Sequence, residues 1–429
     1  MVTGSLYTGV EGQYRFELPG VASPATGPTH DEVDLGGGTI ESVWNHHYSD
    51  SSDSTFQASF NRYRRGNREP ERRDTLDLDY QQHLALGERH DLIAGVGYQY
   101  TADNIQGNFA VSFLPPSRAL QVFNGFIQDE IALIPDRLYL TAGTKLEHNR
   151  YTGFEVMPSV RVAWEPSDHH MFWAAVSRAL RTPSRADTDA VSNVESLVGP
   201  GGTPILVRYF GNPDFQDEAL IAYEAGYRTT IGSRISIDLA AYYNDYDSLQ
   251  TTEPGPLFFE PTPPPAHFVE PIMNENLMHG ETRGLEIAGN WKVTERWTLS
   301  PGYAFEQIHM HSDPSSRDAN TPLLLEHGSP RNSAKIRSLF DFRRGLGWDT
   351  SVYFADRLGN QGFPATAVVP SYTRLDTGLT WKIRDGFSVS AVGQNLLQDH
   401  HVEYLGSLGS VQSSAIKRGG YVKFVWTFP

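Results

Sequence analysis

Leu138-Tyr139-Leu140-Thr141-Ala142-Gly143-Thr144-Lys145-Leu146-Glu147 carries the pattern on which the fold of this chain turns. In an extended backbone successive side chains point to opposite faces. Leu138, Leu140, Ala142, Thr144 and Leu146 thus make a greasy face, and Tyr139, Thr141, Gly143, Lys145 and Glu147 a wet one. The same period-two split separates Ile235, Ile237, Leu239, Ala241 and Tyr243 from Ser236, Asp238, Ala240, Tyr242 and Asn244. It sets Leu285, Ile287 and Trp291 against Gly284, Glu286, Ala288 and Asn290, and Val422, Phe424, Trp426 and Phe428 against Tyr421, Lys423, Val425 and Thr427. Helical periodicity never persists beyond about a turn. The chain reads as all-β.

Working outward, the alternation marks about eighteen strands. They fall near residues 4–16, 36–49, 54–66, 72–87, 90–103, 118–134, 137–149, 154–165, 169–181, 219–231, 234–248, 280–293, 296–309, 332–344, 347–358, 371–384, 387–400 and 417–428. Short turns such as Gly87-Glu88-Arg89, Pro135-Asp136-Arg137 and Gly232-Ser233-Arg234 alternate with long connections near 180–218, 249–279, 309–331 and 400–416. Short turns at one end and long loops at the other predict an antiparallel up-and-down transmembrane β-barrel with both chain ends on the short-turn, periplasmic side. Residues 253–271 hold seven prolines in nineteen positions and read as loop, outside any sheet interior. No four-strand repeat of a propeller is present.

Composition narrows the class. Among 429 residues are 22 Phe, 20 Tyr and 8 Trp, too many aromatics for a disordered acidic chain. No cysteine occurs, which excludes disulfides, thiolate metal sites and a cysteine nucleophile and suits an oxidising compartment. The net charge of −16 argues against a nucleic-acid partner. No run of eighteen apolar residues exists, and the mean hydropathy of −0.41 reads as soluble. A barrel escapes that inference, because only alternate residues touch lipid. Met1-Val2-Thr3-Gly4 begins no secretory signal, so the chain reads either as cytoplasmic or as a mature or truncated form.

Several stretches resemble the C-terminal barrel of the TonB-dependent outer-membrane receptors. They are Phe126-Ile127-Gln128-Asp129-Glu130 with Leu140-Thr141-Ala142-Gly143; Ser177-Arg178-Ala179-Leu180-Arg181-Thr182-Pro183-Ser184; Asn212-Pro213-Asp214-Phe215 running on to Tyr223-Glu224-Ala225-Gly226-Tyr227-Arg228; Thr282-Arg283-Gly284-Leu285-Glu286; and Gln394-Asn395-Leu396-Leu397-Gln398-Asp399. The resemblance implies a receptor in the Gram-negative outer membrane for TonB-energised uptake of a scarce ligand, a ferric siderophore or similar metal chelate. It implies a twenty-two-strand barrel, of which about eighteen are visible, so residues 1–429 are expected to be barrel without the N-terminal plug domain, from a gene fragment or an internally initiated frame. TonB would then act only through that missing plug. Outer-membrane lipid and the barrel-assembly machinery are the other implied partners, and Pro429 after Phe428 departs from the family's aromatic-terminated assembly signal. Two other readings stay open: a passive porin-like channel, and a secreted β-rich binding or adhesion protein.

The candidate ligand-binding residues are Arg181, Arg185, Arg208, Tyr209, His309 and His311. Guanidinium groups near long-loop ends, Arg178 among them, suit an anionic ligand by bidentate bonding. The alternative is lumen charge paired with Asp and Glu, as a polar barrel interior requires. His309 and His311, two apart, share a strand face and could chelate one ion, or be ordinary polar residues at a loop edge. The adjacent pairs His46-His47, His169-His170 and His400-His401 point apart. Tyr209, Phe258, Phe259 and Phe268 could stack on a ligand or pack the loops. Trp164, Trp173, Trp291, Trp297, Trp381 and Trp426 lie near strand ends and read as interfacial girdles. No Gly-x-Ser-x-Gly, His-Glu-x-x-His or phosphate loop occurs, so no enzyme, resident metal or cofactor is expected.

Overall fold

The computed structural model describes residues 1–17, 27–66, 70–342, 345–361, 367–404 and 414–427. Eighteen long strands follow one another: β1 Val2–Glu17, β2 Gly27–Ser49, β3 Ser52–Arg65, β4 Glu71–Leu86, β5 His90–Ile105, β6 Ser117–Ile134, β7 Leu138–Asn149, β8 Gly153–Ser167, β9 His170–Arg181, β10 Glu218–Ile231, β11 Ile235–Pro254, β12 His267–Thr294, β13 Trp297–Ser312, β14 Asn332–Asp341, β15 Leu346–Ala355, β16 Tyr372–Arg384, β17 Phe387–Gln394 and β18 Gly419–Trp426. Each pairs antiparallel with the next. Four short loop strands raise the sheet to twenty-two. Every expected strand is present. The tight turns close because one residue takes a left-handed conformation: Gly87, Gly232 and Gly386 do so freely, and Asp136 at φ 59° is one of the few L-residues that tolerate it.

The two faces differ as the alternation demands. On β3, β4 and β5, Phe56, Phe60, Tyr80 and Val96 are exposed outward, while Gln57, Asn61, Asp77, Asp79, Gln99 and Thr101 alternate with them and line the lumen. On β10 to β13, Tyr223, Tyr243, Leu285, Ile287 and Tyr303 point out, whereas Glu224, Tyr242, Glu286 and Glu306 border one lumen cavity of about 660 Å³. An aromatic belt runs round the short-turn rim through Trp164, Trp291, Trp348, Trp381 and Trp426, all roughly half exposed. Trp173 departs from it. It faces the lumen, packed over Gly226 and within 6.0 Å of the Arg161 guanidinium, because it is odd-numbered on a strand whose even residues Phe172 and Val176 face outward.

One further expectation changes. The hairpin β11–β12 climbs past residue 248 to Pro254 and restarts at His267, so the proline-rich segment does reach the sheet. Pro271 joins as an acceptor only, its carbonyl taking the Gly255 N–H at 2.8 Å, which needs no proline donor. At the sheet's ends, β1 pairs only with β2 and β18 only with β17, and among the described residues no ladder joins β1 to β18. Phe428 and Pro429 lie outside the described residues.

Candidate functional site

The long loops at the end opposite the turns are built, not slack. The connection between β9 and β10 opens with Ser184-Arg185-Ala186-Asp187, a capping box: Ser184 Oγ accepts from the N–H groups of Ala186 and Asp187, and Asp187 accepts from the Ser184 N–H at 2.8 Å. This starts a one-turn helix, Arg185–Asp189. Strand 190–198 follows, pairing with 111–113 of the β5–β6 loop and with 204–210. Strand 204–210 then runs parallel to residues 268–273 of β12, whose other edge takes 258–260. Three loops thereby form one cap. It also contains most of the deeply buried apolar side chains among the described residues: Leu206 and Val269 at 0%, Phe215 at 1%, Met278 at 2% and Val207 at 3%.

Arg185 pins that cap across the lumen mouth. It belongs to the β9–β10 loop, yet its buried guanidinium donates to lumen-facing Asp103 on β5, to the Pro115 carbonyl, and to Asp189 at 3.1 Å, with the Phe113 ring 5.1 Å away. Asp189 also accepts from Arg118 at 2.7 Å. Arg208 forks onto Glu260 at 2.8 and 2.9 Å and donates to Asn193, and these bonds hold the Glu260 carboxyl below its ordinary range. The buried His267 ring sits 3.5 Å from the same carboxylate. Arg181 bridges Glu218 and Asp187 at 2.5 and 3.0 Å and keeps nearly half its side chain in solvent. The Tyr209 hydroxyl donates to the Ala186 carbonyl at 3.4 Å, and burial pushes it up to about 12. Beneath the helix lies a cavity of about 380 Å³, walled by Gln99, Thr101 and Asn149, edged by Arg150 and roofed by residues 182–186.

The six candidates therefore divide. Arg181, Arg185, Arg208 and Tyr209 meet at the lumen mouth, each engaged by a carboxylate or carbonyl of the chain itself. His309 and His311 do not join them, because odd residues of β13 face outward with Tyr303. His309 contacts Gln307 at 2.7 Å, and His311 lies tilted against the His279 ring and 3.4 Å from Glu281. Among the described residues no group of three or more His, Cys, Asp or Glu is placed to hold a metal ion. Sequence reasoning missed the acids Asp103, Asp187, Asp189, Glu218 and Glu260. Only the Ser184–Asp187 capping box had a local signal.

A family model described as TonB dependent receptor-like, beta-barrel, matches residues 11–396. The chain belongs to the TonB-dependent receptor family. Over 283 residues it is 28% identical to the iron-regulated outer membrane virulence protein of Vibrio cholerae, covering 65% of this chain and 41% of that protein. The ferric enterobactin receptor of Pseudomonas aeruginosa superposes with a TM-score of 0.72 at 14% identity, over 92% of this chain and 62% of that one. The siderophore receptor PirA of Acinetobacter baumannii gives 0.67, also at 14% identity and over 92% and 62%. At such identity the structural likeness speaks for the fold. The chain thus spans less than two thirds of the length of each of these relatives. The family is one of outer-membrane receptors and transporters, not of enzymes.

Proposed function

We propose that this chain forms the wall and ligand-receiving loops for uptake of a ferric siderophore or similar metal chelate, energised through TonB and inserted by the barrel-assembly machinery. The observation that carries the reading is membership of the TonB-dependent receptor family, supported by an iron-regulated relative. The loop cap supports it physically, since it borders a cavity of about 380 Å³ at the lumen mouth, lined by apolar Ile105, Phe113 and Leu120 with a few polar groups such as Gln99 and Asn149. Arg181, the most open of the mouth arginines, and Arg150 at the cavity's edge are the groups available to an anionic chelate, with Arg185 and Arg208 holding the cap in shape. The test is quenching of tryptophan fluorescence by ferric chelates, against the iron-free chelators, on the detergent-solubilised chain. It is coupled to uptake of the same chelates by a receptor-deficient strain with and without TonB. Equal responses to loaded and unloaded chelators would overturn the ligand class. Steady ion conductance across planar bilayers with no chelate response would favour a passive channel.

A further inference from the structure

The histidines of β13 meet a partner that spacing along one strand does not show. β12 and β13 pair in unbroken register from Met278 opposite Ser312 down to Ala288 opposite Gly302. That register sets His279 directly across from His311 and Glu281 directly across from His309. All four are odd-numbered and lie on the outer face, in line with Leu285, Ile287 and Tyr303 lower on the same strands. Side chains directly opposite in an antiparallel pair spring from points about 4.5–5.5 Å apart, whereas residues two apart on one strand are separated by roughly 7 Å. His279 and His311 are therefore the natural clamp, not His309 and His311. Their ring centroids are 5.4 Å apart at an interplanar angle of 31°, and His311 Nε2 is 3.4 Å from Glu281 Oε2. His309 is already engaged, by Gln307 at 2.7 Å and Glu326 at 3.9 Å. Asp245 of β11 stands opposite Glu281 on the same face, and Arg283, the next outward residue below, is held by Gln307 Oε1 at 2.8 Å.

We propose that His279 and His311, with Glu281, bind a divalent transition-metal cation of the zinc class on the outer surface, above the lipid-facing band. Two imidazoles on one tetrahedral zinc, each nitrogen about 2.0–2.1 Å from the metal, keep their ring centres about 5 Å apart and leave about 3.4 Å between a ring nitrogen and a carboxylate oxygen of the same shell. Both observed separations match those of ligands sharing an ion. The His311–Glu281 contact is also too long for the charge-assisted hydrogen bond it would otherwise be. The three donors do not yet converge on one point. Closing the site needs only side-chain rotation, since Glu281 and His311 keep 34% and 54% of their side chains exposed and the backbone register is already in place. Imidazole nitrogen selects borderline metals over Mg²⁺ and Ca²⁺, which take oxygen ligands. A bound ion staples β12 to β13 at the root of the 313–331 loop, whose helix Thr321–Glu326 presents Leu324 and Leu325 to the lumen cavity of about 660 Å³. Nothing in this site depends on the uptake ligand.

The experiment is calorimetric titration of Zn²⁺ into the whole chain in detergent, purified without a histidine tag, with Mg²⁺ and Ca²⁺ as comparisons. A Zn²⁺ site with no matching uptake of Mg²⁺ or Ca²⁺ is expected. His279→Gln and His311→Gln should each weaken it about tenfold or more, since losing a ligand costs at least as much as losing a ligand's support. Glu281→Gln should also weaken it, and His309→Gln should leave it unchanged. Heat-modifiable gel mobility confirms that each variant is a folded barrel, so loss of the fold and loss of the metal are distinguished. Electron paramagnetic resonance of the native chain loaded with equimolar Cu²⁺ needs no variant and should show two nitrogen ligands. Zn²⁺ should slow hydrogen exchange in residues 313–320 of the native chain but not in the double substitution His279→Gln, His311→Gln. An unchanged Zn²⁺ affinity in the folded His279→Gln and His311→Gln variants, an equal loss in His309→Gln, or a copper spectrum with fewer than two nitrogens would overturn the proposal.

Discussion

Replacing Leu239 with arginine tests the facing of the wall and its depth in the bilayer together. Outward residues run up β11 from Ile235, opposite Trp291 of the aromatic belt, to Tyr243, opposite Arg283. Eight steps at about 3.3 Å make roughly 26 Å along the strand, or about 20 Å across the membrane at a tilt near 40°. Leu239 stands four residues from either boundary, between Tyr227 and Ile287, at the midplane. An arginine there should cost about 2–4 kcal/mol, since no water or acid is within reach of its charge. Ala288 is the matched control: it is exposed to the lumen, one position along from Ile287, and opposite Asp238. Arginine at 288 should cost less than about 1 kcal/mol. The assay is urea-driven unfolding from lipid vesicles followed by tryptophan fluorescence, in which a gap of about 2 kcal/mol is roughly a thirtyfold change in the equilibrium constant. Equal costs at the two positions, or a silent Leu239→Arg, would refute the facing.

Arg185→Met should loosen the cap by about 3–5 kcal/mol, because it leaves buried Asp103 without its cation and Asp189 with Arg118 alone; hydrogen exchange in residues 182–217 should rise while the wall stays protected. Asp238→Asn should cost under about 1 kcal/mol in the vesicle assay, since its partner Arg228, 2.6 Å away, is mostly exposed. Burial and the neighbouring Glu155 push the Asp217 carboxyl, at the foot of the cap, up to about 7 from an ordinary value of 3.8. The folded state therefore binds more protons, so docking of residues 212–217 should weaken as pH climbs from about 4 to about 7 and then level off. Protease cleavage there should follow that curve in the native chain and be flat in Asp217→Asn. A rise in cleavage on acidification would reverse the sign and sink this account.

The wall was legible because its rule is local. Period two, tight turns and long loops are all visible within about fifteen residues, and they fixed the strands and the end of the barrel at which each loop emerges. What failed was long-range or depended on parity. Arg185 meets Asp103 across 82 positions, and nothing near either residue announces the other. His309 and His311 were read as a shared face without asking which face, and the answer is the outer one. Trp173 was assigned by its nearness to a strand end when its odd number had already turned it inward. The proline-rich segment misled because a proline is a missing donor, whereas Pro271 is used for its carbonyl.

The cap's few wholly buried apolar residues give the mouth a thermal behaviour different from the wall's. Leu206, Val207, Phe215 and Val269 are taken out of water, so the cap's cohesion carries the heat-capacity signature of aqueous burial and slackens on cooling. The barrel's outward Leu239 and Ile287 face hydrocarbon, and no motion of the loops changes their hydration. Opening of the mouth should therefore have a temperature of least frequency, with more frequent excursions on either side, while the membrane-embedded part beneath it remains unchanged. A bacterium moving between warm and cold surroundings would alter the accessibility of this entrance without altering the pore.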